Sequence, residues 1–276
     1  MPSLLPTRLV RARRAAQRQR RVLLTGAGGQ VASMLLPRWN DALGDLAPAP
    51  RQTDLHGMGT DRADLCLIED CRRVLAGADA IVHLAGHSKD APLALLWPPN
   101  VLALDNLLRC AAEAKVTHFV FASSMHVMGL YERTAALDES MPPRPDSHYA
   151  TSKLHGEALC RLYGERHRMA VTCLRLGAVG EQIQDVEPGS WISPEDVLAM
   201  IRIALAADPP WFEIFHAVAD APGSPLAPSR ATVHGYRCSR PGEAYADSLA
   251  RAARWWPRDE IARTRRGASF ASEALS

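Results

Sequence analysis

The chain alternates between short apolar runs and longer amphipathic stretches. The apolar runs end in small residues, as buried parallel strands do, and cover 22–25, 80–86, 118–124 and 170–177. The amphipathic stretches predict helices over 30–39, 69–79, 99–115, 147–167 and 193–208. Strand and helix follow each other in turn, which predicts an α/β fold with a doubly wound parallel sheet.

Local signals set several expected boundaries. Ser147 and Ser193 precede two of the helices and are predicted to cap them. The first helix is expected to stop near Pro37 or soon after, and the third to begin near Asn100. Two weaker strands are expected to end at Asp54 and near residue 64. After residue 180 the pattern fades, which predicts a small, irregular C-terminal part.

Charge is distributed unevenly along the 276 residues. Residues 1–21 carry seven arginines and no acid, whereas the remainder carries 25 basic and 30 acidic side chains. The tail is either a targeting peptide or a disordered extension, and its single serine favours the extension. The mildly acidic body argues against nucleic acid as a partner. No apolar run reaches the roughly 20 residues of a membrane-spanning helix, so no membrane partner is expected.

Cysteine and histidine usage points to a reducing compartment and to no metal. The cysteines form no CxxC pair and are expected to be buried free thiols, which predicts a cytoplasmic protein. The ten histidines show no metal-ligand spacing. The six cysteines are Cys66, Cys71, Cys110, Cys160, Cys173 and Cys238.

A glycine-rich turn, TGAGGQVA (25–32), lies between the first predicted strand and helix. In that position Gly26 allows a tight turn and Gly29 allows a pyrophosphate to approach the backbone. Asp54, at the end of the second strand, is suited to bind the adenosine ribose hydroxyls, with residues 40–50 as an insertion. Because an acid there repels a 2′-phosphate, the pattern predicts NAD rather than NADP.

Tyr149 and Lys153 are four residues apart on a predicted helix and therefore share a face. A nearby ammonium favours the phenolate, so Lys153 is expected to lower the Tyr149 pKa. Ser124 ends the preceding strand, and ligands of parallel sheets lie at the carboxyl ends of strands. The three side chains are therefore predicted to meet in one cleft.

These motifs resemble the extended short-chain dehydrogenases/reductases of the NAD-dependent epimerase/dehydratase family, which have the Rossmann fold. The resemblance rests on the glycine turn, on the dipeptide DL at 64–65, and on HLAG (83–86), FASS (121–124) and YATSK (149–153). Within the family the chain is most similar to uronate dehydrogenases over about 21–272, through residues 121–131, 142–157, 190–201 and 262–270. The implied organisation is a basic extension (1–20), an NAD-binding domain (21–180) and a substrate-side region (181–276).

The resemblance implies that NAD oxidises the anomeric hydroxyl of a sugar or sugar acid to a lactone. Tyr149 would be the base, Ser124 would orient the reacting oxygen, and Lys153 would support both the tyrosine and the ribose. Implied cofactor-binding residues are Gly26, Gly29, Gln30, Val31, Asp54, Asp64, Leu65, Leu84, Ala85, Gly86, Lys153 and Ala178. Implied substrate-binding residues are Ser88, Ser124, Met125 and His126.

Two departures from the family pattern concern the substrate. Uronate dehydrogenases hold the substrate carboxylate with an arginine in the loop that corresponds to 178–191, where this chain has three acids before Pro188 and no arginine. An asparagine that follows the serine pair is replaced by Met125. His126 either binds substrate or packs against its neighbours. Both departures concern uronate specificity and leave hydride transfer intact.

Two other functions remain open at this stage. One is a nucleotide-sugar epimerase or dehydratase, which usually has a larger C-terminal domain. The other is an NAD-sensing scaffold without catalysis, which the intact Ser124, Tyr149 and Lys153 argue against. The family also implies a homo-oligomer whose only small-molecule partner, besides NAD, is a sugar.

Overall fold

The computed structural model describes residues 19–57, 60–132, 137–181, 191–206 and 212–219. A seven-stranded sheet runs through them in the order β3-β2-β1-β4-β5-β6-β9, and every strand pairing is parallel. Its strands are β1 Val22–Thr25, β2 Arg51–Asp54, β3 Asp61–Arg62, β4 Ala80–His83, β5 His118–Ser124, β6 Ala170–Leu176 and β9 Phe212–Ala217. A smaller sheet pairs β7 Ala178–Val179 with β8 Trp191–Ile192.

Helices cover both faces of the main sheet, which confirms the predicted doubly wound α/β fold. They are α1 Gln30–Leu35, α2 Trp39–Leu43, α3 Ile68–Leu75, α4 Leu93–Trp97, α5 Ala103–Glu113, α6 His148–His167 and α7 Pro194–Ala206. Tighter or wider turns join some of them, namely 3₁₀ turns at Leu36–Arg38 and Met125–Met128 and a π-helical turn at Pro98–Leu102.

The strand order reverses between β1 and β4. From β1 the chain adds β2 and β3 on one side, then returns to add β4, β5, β6 and β9 on the other. In open parallel sheets the crevice at such a reversal, outside the carboxyl ends of the strands, is where ligands bind. The fold therefore places the ends of β1, β2, β4 and β5 around one potential site.

Successive residues of each strand serve opposite apolar cores, as the alternation of side chains in a β-strand requires. Leu24 and Val82 belong to the core beneath α1, α2 and α7. Leu23, Ile81 and Phe119 belong to the core beneath α3, α5 and α6. A sheet buried on both faces needs apolar residues at consecutive positions, which explains the unbroken apolar runs of the sequence.

The expected caps and weak strands are confirmed. The Ser147 hydroxyl accepts a hydrogen bond from Ala150 N at 3.1 Å, and the Ser193 hydroxyl accepts one from Asp196 N at 3.1 Å. The strand expected to end at Asp54 is β2, and the one expected near residue 64 is the two-residue β3.

Two helix boundaries were predicted wrongly. α1 ends at Leu35, and the chain passes Pro37 in a 3₁₀ turn and continues helically to Leu43. It does so because Trp39 is buried there and its indole donates a hydrogen bond to Ala47 O at 2.8 Å. The helix expected near residue 100 begins at Leu93.

A pair of prolines explains the second error. Pro98 and Pro99 lack the N–H groups that an α-helix needs, and the chain passes them in a π-helical turn without leaving the helical path. β9 was also missed, because its burial depends on pairing with β6 and not on a local pattern. The division of the chain at residue 180 stays a prediction, and residues 1–18 and 220–276 lie outside the described residues.

Candidate active site

The glycine turn packs its backbone against both neighbouring strands. Gly26 has φ 74°, and a Cβ on it would lie 2.5 Å from Ala85 N, so only glycine fits. Its N–H donates to Thr53 O at 3.0 Å. The turn therefore lies between the ends of β2 and β4, where the strand order reverses.

The Asp54 carboxylate lies against this turn. It accepts hydrogen bonds from Gly28 N at 3.1 Å and from His56 N at 3.0 Å. A Cβ on Gly28 would be 3.2 Å from Asp54 Cγ, so the acid and the turn are in close contact. Arg51 begins β2 and donates to Ala76 O at 3.0 Å, directed away from the turn.

A cavity of about 560 Å³ opens beside Asp54 and the glycine turn. Among the predicted cofactor residues, it is lined by Gly26, Gly29, Asp54, Asp64, Leu65, Leu84, Ala85 and Gly86. The prediction also included Gln30 and Val31 at the start of α1, Lys153 on α6 and Ala178 on β7, none of which lines this cavity. Sequence reasoning missed lining residues at the adenosine end and beside the π-helical turn, namely Gly28, Thr53, Leu55, His56, Ala63, Cys66, His87, Pro98, Pro99 and Ala103.

The lining of this cavity suits a dinucleotide. A glycine turn without side chains leaves backbone available to a pyrophosphate, and an acid beside it suits ribose hydroxyls. Asp64 is held by its own turn, accepting from Cys66 N at 2.9 Å, and its N–H donates to Asp70. The residues present therefore fit the cofactor that the sequence predicted.

Ser124, Tyr149 and Lys153 converge at the carboxyl end of β5. Ser124 is buried, and its hydroxyl is close enough to the Tyr149 hydroxyl to lower the tyrosine pKa. The Lys153 ammonium is buried, donates to Ala122 O at 2.9 Å and lies 5.8 Å from the centroid of the Tyr149 ring. The predicted cleft is thus present, with the serine and the lysine both close to the tyrosine.

Burial dominates the ionisation of this group. It raises the pKa of Tyr149, and the hydrogen bond from Ser124 only partly offsets it. It also lowers the pKa of Lys153 to about 8. The pKa of Tyr149 is therefore raised and not lowered as expected, because burial outweighs the hydrogen bond with Ser124.

The neighbouring Ser123 bonds a buried ion pair and not the tyrosine. Its hydroxyl donates to Glu157 Oε1 at 2.6 Å, and Glu157 forms a two-point ion pair with Arg175, with both N···O distances at 2.9 Å. The exposed fractions of the two charged side chains are 2% and 4%. Because successive strand residues face opposite sides, this pair occupies Ser123 and leaves Ser124 to the tyrosine.

A buried asparagine that the sequence analysis did not identify connects the cleft to the cavity. Asn100 Oδ1 accepts from His87 N at 2.7 Å, and its Nδ2 lies 3.1 Å from His87 O and 2.9 Å from the Ser152 hydroxyl. The residue is therefore fully bonded, and it links the loop after β4 to α6. A polar residue inside the apolar run PPNVLAL was the available signal.

The predicted substrate residues Ser88 and Met125 follow β4 and β5, and the predicted cofactor residue Ala178 follows β6. Ser88 is exposed in the loop after β4, and Ala178 is exposed on β7, directly after β6. Met125 packs against the apolar cluster of Val127, Met128 and Leu137.

His126 lies edge-on to Tyr149, with ring centroids 6.3 Å apart. Its Nδ1 is 2.8 Å from Asp146 Oδ2, and Asp146 also accepts from the Ser147 hydroxyl at 2.9 Å. Gly129 allows this arrangement, because a Cβ there would overlap the Asp146 carboxylate. The histidine is therefore held beside the cleft by an acid.

Within the described ranges, no cluster of three or more His, Cys, Asp or Glu side chains could hold a metal ion. The same ranges contain no helix that is both long and apolar enough to cross a membrane.

Comparison with known proteins agrees with this geometry. The sequence profile described as NAD dependent epimerase/dehydratase family matches residues 22–185. Uronate dehydrogenase from Agrobacterium fabrum is 31% identical over 192 residues, covering 68% of this chain and 72% of that protein. NAD-dependent glucose-6-phosphate dehydrogenase from Haloferax volcanii is 29% identical over 223 residues, covering 72% and 85%.

A solved structure of a uronate dehydrogenase mutant from Agrobacterium tumefaciens, complexed with NAD, has a TM-score of 0.76 and 26% identity. The alignment covers 85% of this chain and 90% of that one. The predictions of the family, of an NAD-dependent dehydrogenase and of NAD as cofactor are confirmed. The chain belongs to the NAD dependent epimerase/dehydratase family.

Proposed function

We propose that this protein oxidises the anomeric hydroxyl of a sugar or sugar acid to a lactone, with NAD as the electron acceptor. The observation that carries the proposal is the convergence of Ser124, Tyr149 and Lys153 near the cavity lined by the glycine turn and Asp54. Relatives that act on uronates and on glucose 6-phosphate support a carbohydrate as the substrate.

The cofactor is held by residues of this chain that line the cavity. The glycine turn contributes backbone to the pyrophosphate, Asp54 binds the adenosine ribose, and Gly86 allows close approach at the end of β4. When bound, NAD supplies the hydride acceptor. Lys153, buried beside Gly86, is placed to bond the second ribose, since a Cβ on Gly86 would be 3.7 Å from its Nζ.

Tyr149 takes the proton of the substrate hydroxyl in this proposal. The species that accepts the proton is the phenolate, and a raised pKa makes this form scarce at neutral pH, so it needs stabilising partners; Ser124 and the Lys153 ammonium are placed to be those partners. Ser124 also orients the reacting oxygen. Because the tyrosine and the lysine are both buried, the interaction between them is stronger than it would be in water.

NADH formation tests the proposal. Purified protein is given NAD and a panel of free aldoses, uronic acids, aldose phosphates and nucleotide sugars, and absorbance is recorded. Turnover of a free sugar or sugar acid supports the proposal. Retained NAD with turnover of a nucleotide sugar alone would indicate an epimerase or dehydratase, and NAD binding without any turnover would indicate a sensor.

Substitution of the tyrosine tests the proposed base. Tyr149→Phe is expected to lower kcat by about 10²- to 10⁴-fold while NAD binding persists, because only the proton acceptor is lost. Tyr163→Phe is the matched control, since Tyr163 lies on the same helix and its hydroxyl bonds Asp105 at 3.1 Å, away from the cleft. Equal activity of the two variants would refute the role of Tyr149.

A further inference from the structure

The dipeptide Ser88–Lys89 is anchored on both sides next to the proposed base. On one side Asn100 bonds both backbone groups of His87, at 2.7 and 3.1 Å. On the other side Asp90 Oδ1 accepts a hydrogen bond from Tyr149 N at 2.9 Å. The two residues between these anchors are therefore held at the mouth of the cleft.

Lys89 presents an uncommitted charge there. The residue is exposed, and its ammonium has no hydrogen bond or ion pair with any described residue. The two nearby acids are already engaged, since Asp90 bonds Tyr149 N and Asp146 bonds His126 and Ser147. Neither carboxylate is thus free to hold the lysine at a single position.

Among the described residues, three other cations close to Tyr149 in the chain or in space already have partners, namely Lys153, His126 and Arg144, whose guanidinium lies 5.0 Å from the centroid of the Tyr131 ring. Lys153 is buried and donates to Ala122 O, and His126 is paired with Asp146. The sequence between 178 and 191 has three acids and no arginine. An anionic substrate must therefore find its counter-charge elsewhere, and Lys89 is an exposed cation directly before Asp90, which accepts a hydrogen bond from Tyr149 N.

We propose that Lys89 determines specificity by pairing with an anionic group at the end of the sugar remote from the anomeric carbon. Ser88 would add a hydroxyl beside it. The ligand chemistry is an oxygen anion, either a carboxylate or a phosphate. The proposal rests on the proposed function and deepens it by naming the class of substrate.

The test measures a selectivity ratio, kcat/KM for an anionic sugar divided by kcat/KM for its neutral counterpart. Galacturonate against galactose tests the carboxylate, and glucose 6-phosphate against glucose tests the phosphate. Lys89→Met is expected to lower the ratio for the true class by about 10- to 100-fold, mainly through KM, because a charge-assisted hydrogen bond is lost. Lys89→Arg is expected to restore most of it.

Lys115→Met serves as the matched control. Lys115 is equally exposed, but it lies just before β5, at the opposite edge of the sheet from the cleft. Its substitution is expected to leave the ratio unchanged, which excludes an effect of net charge. An unchanged ratio in Lys89→Met, or a wild-type protein that prefers neutral sugars, would overturn the proposal for Lys89 while the dehydrogenase function stands.

A separate measurement is needed if the wild-type protein reduces NAD with none of the sugars. That result would overturn the proposed function by itself. Calorimetric titration of galacturonate or glucose 6-phosphate into the NAD complex then tests Lys89 independently. Weaker binding to Lys89→Met than to Lys115→Met would support the anion contact, and equal binding would refute it.

Discussion

Gly86 lies so close to Asn100 that no side chain fits on it, and Lys153 is within van der Waals contact of the same position. A Cβ there would be 3.7 Å from Lys153 Nζ and 2.8 Å from Asn100 Oδ1, and the residue has φ 138°. The end of β4, the buried asparagine and the proposed catalytic lysine therefore form one packed unit. Through it, the cofactor cavity and the catalytic cleft are structurally coupled.

Replacing Gly86 with alanine is expected to disrupt that unit. The positive φ and the contact with Asn100 should cost about 2–3 kcal/mol of unfolding free energy and weaken NAD binding at least about 10-fold. Gly77→Ala is the matched control, because Gly77 also has a positive φ of 79° but lies after α3, where the nearest atom to a Cβ would be Arg21 Nη1 at 3.4 Å. Gly77→Ala should lose about 1 kcal/mol of unfolding free energy and bind NAD normally. Urea unfolding measures the stability, and calorimetry measures the NAD binding.

Lys153 is expected to reduce stability at neutral pH. Its pKa is lowered to about 8 in the folded protein, so between pH 8 and about 10.5 the unfolded chain binds the proton more strongly. The buried ammonium therefore costs up to roughly 3 kcal/mol below pH 8, and the cost disappears as pH rises through this window. Lys153→Met should lose turnover, yet at pH 7 it should unfold at a higher urea concentration than wild type. This gain in stability should be smaller at pH 10.

The bond from Lys153 to Ala122 O opposes this gain. A variant that is less stable than wild type at pH 7 would show that this hydrogen bond outweighs the burial of the charge. Circular dichroism during urea unfolding at the two pH values distinguishes the cases.

His83 is expected to control acid sensitivity. It is buried in β4, its Nδ1 is 2.7 Å from the Thr25 hydroxyl, and burial lowers its pKa to about 3. Between pH 6.5 and 3 this histidine binds a proton in the unfolded chain but not in the folded protein. Its contribution should therefore lower the free energy of unfolding by about 1.4 kcal/mol for each pH unit of acidification. His83→Gln should remove that part of the slope, and an identical slope in both proteins would contradict the assignment.

Asp54 is expected to set the preference for NAD through its charge. Asp54→Asn keeps one acceptor oxygen, which serves either Gly28 N or His56 N but not both, and it removes the repulsion of a 2′-phosphate. The ratio of kcat/KM for NADP to that for NAD should therefore rise about 10-fold or more. Asp54→Ala removes both hydrogen bonds to the turn and should weaken the binding of NAD and of NADP. An unchanged NADP-to-NAD ratio in Asp54→Asn would contradict the role of Asp54 in cofactor preference.

The strands and the functional motifs could be read from the sequence because they depend on local patterns. Unbroken apolar runs indicate strands buried on both faces, and the serine caps mark helix starts by their own backbone bonds. The glycine turn and the carboxyl end of β5 were identified in the same way. The helix boundaries predicted near Pro37 and Pro98 were wrong. Burial of Trp39 and the π-helical turn at Pro98–Leu102 keep the chain helical past residues that usually end a helix.

The sequence by itself determined the order of strands and helices, and with it the edge of the sheet at which Ser124, Tyr149 and Lys153 lie. Only the tertiary structure decided how these groups ionise, because the pKa values depend on burial by residues far apart in the chain. It alone showed that Asn100 and Asp90 hold the Ser88–Lys89 segment and that β9 completes the sheet. Contacts between distant residues leave no periodic trace in the sequence, whereas strands, helices and turns do.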